Sequence, residues 1–463
     1  MYDLAVIGGG SGGLAISRRS AYTYGKNVLL IEKSVLGGTC VNNGCIPKKM
    51  LYNMALLHSE VVHLYGKTGI KLAWDEFNQK RSKYIKFLNE MYMNRNQNDR
   101  ITTVTGPAVI KNGLIEVNGQ VYTASKTVLA MGSYPDVLDC EGREHLLTSD
   151  DFFRFDTVPD SVVIIGTGYI AIETAFVLQE CNCKVTLIAR GDSVLRSFDA
   201  MIQDRVKNTL LSKGIKILEK TTVLKIEKIC TGIKLSIIKA GVHDTITASK
   251  GICAIGRLPN TESIHNDNIK FSESKFIITD KSFCTTDKDT FAIGDITTSD
   301  YMLTPVAIFS GRRLSDYLYG NSTGNIKGLI RSVPTVIFSH PPAGSVGLSE
   351  SDCKRINGLS VQCEHSGYVG LSQDECVSDP VCIKEISLFH YNSIFTVYKN
   401  VYKFVYGSVT GLLYGVHVYG YECDEVLQGY SVLVRNHVTY TQMVDYFDVI
   451  GGSSYEVLSG IFE

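Results

Sequence analysis

The stretch Tyr2-Asp3-Leu4-Ala5-Val6-Ile7-Gly8-Gly9-Gly10-Ser11-Gly12-Gly13 decides how this chain begins to fold. Leu4 to Ile7 form a short apolar run, as a buried strand requires, and the glycines follow at once. Gly8, Gly10 and Gly13 have the G-x-G-x-x-G spacing. Glycine there permits a tight turn, close approach of backbone N–H groups to a pyrophosphate, and close packing of helix on strand. A second apolar run, Val28 to Ile31, ends in Glu32, placed so that a carboxylate can accept hydrogen bonds from a ribose. The plain alternative for the glycines alone is an ordinary turn; the flanking runs and the acid favour a βαβ nucleotide fold on a parallel sheet.

The same pattern recurs further on. Val162 to Ile165 lead into Gly166-Thr-Gly168, with Ala171 in place of the third glycine, then a helical stretch through Glu180 and a strand from Lys184 to Ala189. No acid closes that strand. Arg190 follows, and Arg196 lies six residues on. Arginines offer charge-assisted forks to a 2′-phosphate, whereas an acid would favour a free ribose hydroxyl, so NADPH is expected rather than NADH. Thr127 to Gly132 and Phe291 to Asp295 each read as a strand ending in a turn. From about residue 331 the character changes. Val397 to Tyr406 and Leu412 to Val418 are β-rich and heavy in tyrosine, which predicts an antiparallel sheet in a separate C-terminal domain.

Length and composition bound the function classes. The chain has 463 residues, enough for several domains, and its net charge of −1 offers no basic excess for nucleic acid or a membrane surface. Nowhere do enough apolar residues run together to predict a transmembrane helix, and the N-terminus shows no leader pattern. Thirteen cysteines scattered over so long a chain fit free thiols in a reducing compartment, and the cytosol is the expected location. No spacing suggests a metal site.

Two of those cysteines stand apart. Cys40-Val-Asn-Asn-Gly-Cys45 follows Gly37-Gly38-Thr39, just beyond Glu32. Residues five apart in an ideal helix are displaced by about 7.5 Å along its axis, while a disulfide needs its Cα atoms within about 7 Å. A bridge therefore requires a distorted segment, and Gly44 is a natural place for the distortion. A thiolate near a helix N-terminus and a basic neighbour such as Lys48 has a lowered pKa.

With these residues in view, Gly-Gly-Thr-Cys40-Val-Asn-Asn-Gly-Cys45-Ile-Pro-Lys48-Lys resembles the signature of the class I pyridine nucleotide–disulfide oxidoreductases. Further segments fall in that family's order: Gly166 to Glu173, Val194 to Asp199, Ala254 to Asn260, Leu303 to Ile308, Val333 to Pro342 and Cys423 to Gly429. The resemblance implies an α/β protein with two Rossmann-like dinucleotide-binding domains, for FAD and NADPH, and an α+β C-terminal dimerisation domain. Residues 1–149 and 258–330 would form the FAD domain, 150–257 the NADPH domain and 331–463 the dimerisation domain of a homodimer. It implies that Cys45 faces the flavin and Cys40 attacks the substrate disulfide. Lys48 and Glu173 would pair near the flavin, Tyr169 would cover the nicotinamide pocket, and Asp295 would hold the ribityl chain. Gly12, Gly38, Thr39, Gly132, Gly256 and Thr304 join the glycine loops, Ser11, Glu32, Arg190 and Arg196 as cofactor-binding positions.

For the substrate, the resemblance points to glutathione disulfide. Arg18 and Arg312 stand where members acting on it carry arginines for its carboxylates, and Ser11 and Tyr92 match the same pattern. The tail departs from the family. Where a histidine and a glutamate are expected, the chain has Ile450 and Tyr455, or Gly451 and Glu456 after a one-residue slip. Positioned acid–base catalysis contributes about 10²–10⁴-fold. The expectation is an intact reductive half-reaction and an impaired oxidative one, unless Tyr455, Glu456 or His437 supplies the proton. Two rivals stay open: an NADPH-dependent flavoprotein acting on quinones, metals or dioxygen, and a catalytically silent flavoprotein kept for binding or dimerisation.

Overall fold

Short apolar strands buried on both faces need a layer on either side, and the first apolar run meets that demand. In this computed structural model, which describes residues 2–65, 73–97, 100–297, 301–358, 379–388 and 398–445, Leu4, Ala5, Val6 and Ile7 are all buried. Strand Tyr2–Ile7 is central in a five-stranded sheet ordered Thr290–Ala292, Ala124–Leu129, Tyr2–Ile7, Val28–Glu32, Ile101–Thr105. Every neighbouring pair is parallel. Successive side chains serve opposite layers, as the two-residue period of a strand dictates. Leu4, Val6 and Leu30 pack with Leu14, Ile16 and Leu314, while Ala5, Ile7, Leu29 and Ile31 pack with Ile110 and Ile115.

The helix that joins the first two strands, Ser11–Tyr24, sits so close to its strand that glycine is obligatory. A Cβ on Gly13 would lie 1.8 Å from the Gly8 carbonyl oxygen, and one on Gly8 would lie 2.3 Å from that of Ala130. Gly8 also has φ +107°, which L side chains rarely adopt.

The expected second fold is present. Lys216–Leu218, Lys184–Ile188, Ser161–Ile165, Lys250–Cys253 and Leu147–Thr148 form a second parallel sheet in that order. A three-stranded antiparallel meander, Thr221–Ile229, Gly232–Lys239 and Val242–Ala248, accompanies it. The C-terminal β-rich region forms the predicted antiparallel sheet: Thr335–Ile337, Ala343–Gly347, Leu413–Tyr419, Asn400–Gly407, Val381–Leu388. Helix Cys423–Arg435 lays Leu427, Tyr430 and Val434 against Phe404, Val416 and Val418.

The described residues divide into two compact units. One comprises those of Met1–Met50, Ala73–Asp136 and Gly256–Ile330, the other those of Leu51–Leu72, Val137–Ile255 and Arg331–Glu463. No helix among the described residues is long and apolar enough to cross a membrane.

Within the second unit a buried charge group ties helix Ala200–Ser212 to the antiparallel sheet. The Lys403 ammonium donates to both oxygens of Asp199, at 2.9 and 3.1 Å, and to Glu350 at 2.8 Å. Asp199 is also the helix's N-cap, accepting from the Met201 N–H. Removing one member of a buried pair leaves its partner charged and desolvated. Lys403→Ala is expected to lower the unfolding free energy by about 3–5 kcal/mol; an unchanged midpoint in urea would show the group to be dispensable.

Candidate redox and cofactor site

The two signature cysteines sit on successive helices. Gly38–Asn42 carries Cys40, and Cys45 opens Cys45–Tyr65. The break falls at Asn43 and Gly44, where the bridge geometry demands it. A Cβ on Gly44 would lie 2.8 Å from the Thr39 carbonyl oxygen, so the chain folds back closely there. Both thiols are free. They hydrogen-bond each other, and the Cys45 Sγ lies 3.5 Å from the Thr304 hydroxyl, the first residue of helix Thr304–Tyr319.

This arrangement separates the two sulfurs electrostatically. The hydrogen bond from Cys40, the Thr304 hydroxyl and the charge of Lys48 together outweigh burial and lower the Cys45 thiol to about 6. Its hydrogen bond to Cys45 and burial push the Cys40 thiol up, although Thr304 and Ser11 act in the opposite sense. Near neutrality the pair is one thiolate, Cys45, holding the proton of one thiol, Cys40.

The first glycine loop faces the same segment. A Cβ on Gly38 would lie 2.7 Å from the Gly10 Cα. Helix Ser11–Tyr24 starts with no side-chain cap, which leaves its first N–H groups without a side-chain acceptor, as an anion site requires. The Glu32 carboxylate accepts from the Gly9 N–H at 2.7 Å and the Ser34 N–H at 3.0 Å, and so holds the loop in shape. Its spacing pointed only to a ribose.

Asp295 lies in the turn Gly294–Ile296. Burial raises its carboxyl, and Ser133 and Arg257 oppose that rise. Ser133 Oγ donates to Asp295 at 3.1 Å while accepting from Arg257 Nε at 2.8 Å. Arginine only donates, so the hydroxyl proton must point at the carboxylate. The antiparallel pairing of Arg257–Pro259 with Ser133–Pro135 sets this up. Neither partner was assigned from sequence, although Arg257 belongs to the quoted Ala254-to-Asn260 segment.

In the second unit, Gly166 needs its glycine because a Cβ would lie 2.2 Å from the Ala254 carbonyl oxygen. Gly168 precedes helix Tyr169–Glu180, which again has no side-chain cap. A Cβ on Gly168 would meet nothing within 4 Å. Arg190, Arg196 and Tyr169 are exposed. Glu173, buried on the same helix, accepts from the Phe338 N–H at 2.9 Å. Lys48 belongs to the first unit and Glu173 to the second. In the first unit, Gly12 is buried and Thr39 exposed. A Cβ would meet nothing within 4 Å on Gly132, nor on Gly256.

Of the substrate candidates, Ser11 opens the first helix and touches Cys40. Arg18 lies on that helix too, with its guanidinium 5.0 Å over the Tyr92 ring. Arg312 is exposed on helix Thr304–Tyr319. His437 is half-buried just beyond helix Cys423–Arg435. Ile450, Gly451, Tyr455 and Glu456 lie outside the described residues. Among the described residues no cluster of histidine, cysteine or acid is built to hold a metal.

Two parallel-sheet glycine loops and a dithiol at a helix break define a disulfide reductase driven by a pyridine nucleotide. The chain belongs to the pyridine nucleotide-disulphide oxidoreductase family, whose model matches residues 2–311, and the family's dimerisation-domain model matches residues 333–449. FAD and NADPH are the cofactors of this class, and the uncapped helices and glycine cradles fit them. The chain is 34% identical over 462 residues to the glutathione reductase of Yarrowia lipolytica, covering 95% of this chain and 94% of that protein. It is 30% identical over 457 residues to the glutathione reductase of Nostoc sp., with the same coverage. In fold it is similar to the HOCl-induced flavoprotein disulfide reductase RclA from Escherichia coli, with a TM-score of 0.85, 22% identity, and 99% and 98% of the two chains covered.

A lowered thiol is a thiolate above its pKa and loses that charge as pH falls through it. The ultraviolet thiolate absorbance of the reduced protein is therefore expected to disappear as pH falls below about 6. Thr304→Val removes a hydrogen-bond donor to the sulfur and is expected to move that midpoint up by about one unit. An unmoved midpoint would show that Thr304 contributes nothing to the charge.

Proposed function

We propose that this protein reduces glutathione disulfide to two glutathione thiols at the expense of NADPH. The observation that carries the reading is the Cys40–Cys45 pair, one sulfur charged and the other holding the proton, set against Thr304. Bound FAD and NADPH supply the two electrons that open the Cys40–Cys45 bridge. We assign residues 1–149 and 258–330 to FAD, 150–257 to NADPH, and 331–463 to the interface of a homodimer.

The chain's own residues then act as follows. Gly8, Gly10, Gly12, Gly13, Gly38, Thr39, Gly132 and Thr304 cradle FAD, Glu32 shapes its loop and holds the ribose, and Asp295 takes the ribityl chain. Gly166, Gly168, Gly256, Arg190 and Arg196 bind NADPH, with Tyr169 over its pocket. Lys48 and Glu173 set the charge beside the flavin. Cys40 passes its proton to Cys45 and attacks one substrate sulfur, forming a mixed disulfide and expelling one glutathione thiolate. Cys45 gives that proton to the departing thiolate, attacks the Cys40 sulfur, expels the second thiolate, which takes its proton from solvent, and closes the bridge. Two electrons leave the dithiol and two glutathione thiols form. Ser11, Arg18, Tyr92 and Arg312 hold the substrate, and the cytosol supplies it.

The tail sequence supports a second reading. With Ile450 or Gly451 at the histidine position, acceptors that need no protonated leaving thiolate, such as quinones, gain ground.

Turnover of NADPH with glutathione disulfide separates the two. The first reading expects release of glutathione thiols and its loss in Cys40→Ser; NADPH oxidation by quinones alone, equal in parent and Cys40→Ser, would overturn it. The double substitution Arg190→Ala with Arg196→Ala is expected to raise KM for NADPH by about 10–100-fold and leave KM for NADH nearly unchanged. Equal effects on both nucleotides would remove the arginines from the 2′-phosphate.

A further inference from the structure

Asn96 is fully buried, yet it is an amide. It stands on helix Trp74–Gln97, four residues after Tyr92, so both side chains share one face. Arg18 meets that face twice. Its guanidinium carbon lies 5.0 Å over the Tyr92 ring, and its Nε donates to Asn96 Oδ1 at 3.2 Å. An arginine Nε–H only donates, so the amide oxygen must face it and the amide orientation is fixed. The Asn96 Nδ2 group is buried without a hydrogen-bond partner among the described residues.

That unsatisfied group makes Asn96 a poor choice for packing, since an apolar side chain of similar size would leave no buried donor unpaired. Its oxygen has one visible use, which is to fix the arginine. The arginine's own place gives this a purpose. Ser11 and Arg18 are seven residues apart on helix Ser11–Tyr24, hence on one face and about 10.5 Å apart along the axis. Ser11 hydrogen-bonds Cys40. The same helix face thus carries a contact to the dithiol at one end and a fixed guanidinium two turns away.

We infer that Asn96 is a positioning residue for the disulfide substrate: with Tyr92 it holds the Arg18 guanidinium at a set distance from the dithiol, where it selects disulfides bearing a carboxylate. This rests on the assignment of Arg18 to the substrate in the proposed function. Asn96 acts through Arg18 and touches no reacting atom. A guanidinium fixed in advance loses little freedom when it binds, so its contribution falls on substrate affinity rather than on chemistry.

The test is a double-substitution cycle on the flavin-loaded enzyme, with glutathione disulfide and with its glycine methyl ester, which lacks those carboxylates. Asn96→Leu is expected to raise KM for glutathione disulfide about tenfold with kcat within about twofold, and to leave KM for the ester unchanged. In an Arg18→Ala background the same change is expected to add nothing. If leucine prevents flavin loading, Asn96→Ala takes its place, with NADPH-driven ferricyanide reduction reporting that the flavin is bound. A fall in kcat alone, an equal rise in KM for both disulfides, or an equal effect in both backgrounds would overturn the inference. If Arg18→Ala itself leaves KM unchanged, the assignment of Arg18 to the substrate fails, a result distinct from failure of Asn96 alone.

Discussion

The hydrogen bond between the Cys40 and Cys45 sulfurs, with the Thr304 hydroxyl against the same pair, decides which sulfur carries negative charge. Much of the first unit serves to build that contact. The break at Asn43 and Gly44 turns one helix into two and brings residues five apart within reach. Helix Thr304–Tyr319 delivers the hydroxyl from a distant part of the chain. The close approach of Gly10 and Gly38 sets the dithiol segment against the glycine loop. A side chain at Gly38 would force the two backbones apart, so the placing of the thiols against the loop depends on that glycine.

The charge separation bears on the unusual tail. A neighbouring base is usually needed to activate an attacking thiol. Here Cys40 already shares its proton with the Cys45 thiolate, so its activation does not depend on the positions occupied by Ile450 or Gly451. Protonation of the departing thiolate is the step that loses its histidine donor when Ile450 or Gly451 stands at that position. A thiol near its ordinary pKa of about 8.5 is a tolerable leaving group near neutrality.

How much of this was legible depended on the kind of signal. The parallel strands could be read because Leu4–Ile7 and Val162–Ile165 are apolar runs abutting glycine loops. The helix break at Gly44 followed from the geometry a Cys40–Cys45 bridge requires together with the freedom of a glycine backbone. The antiparallel C-terminal sheet showed in its tyrosine-rich, β-branched composition. The partners of Asp295 were hidden, since Ser133 is 162 residues away and nothing local marks a hydroxyl for that task. The capture of Glu173 by the Phe338 backbone N–H carries no sequence signature, because every residue but proline has that group. The alternation in 221–239 was available, with Val223, Ile226, Ile233, Leu235 and Ile237 buried and lysines between, and it marks the meander the motif reading passed over.

The most direct measurement is an anaerobic titration of the purified flavoprotein with NADPH, following its visible spectrum. The account predicts that the parent takes up one two-electron equivalent beyond what bleaches the flavin, with a long-wavelength thiolate–flavin band that fades as pH falls below about 6. It predicts that Cys45→Ser loses both the band and the extra equivalent. Equal uptake by the parent and by Cys45→Ser, with no such band in either, would contradict it.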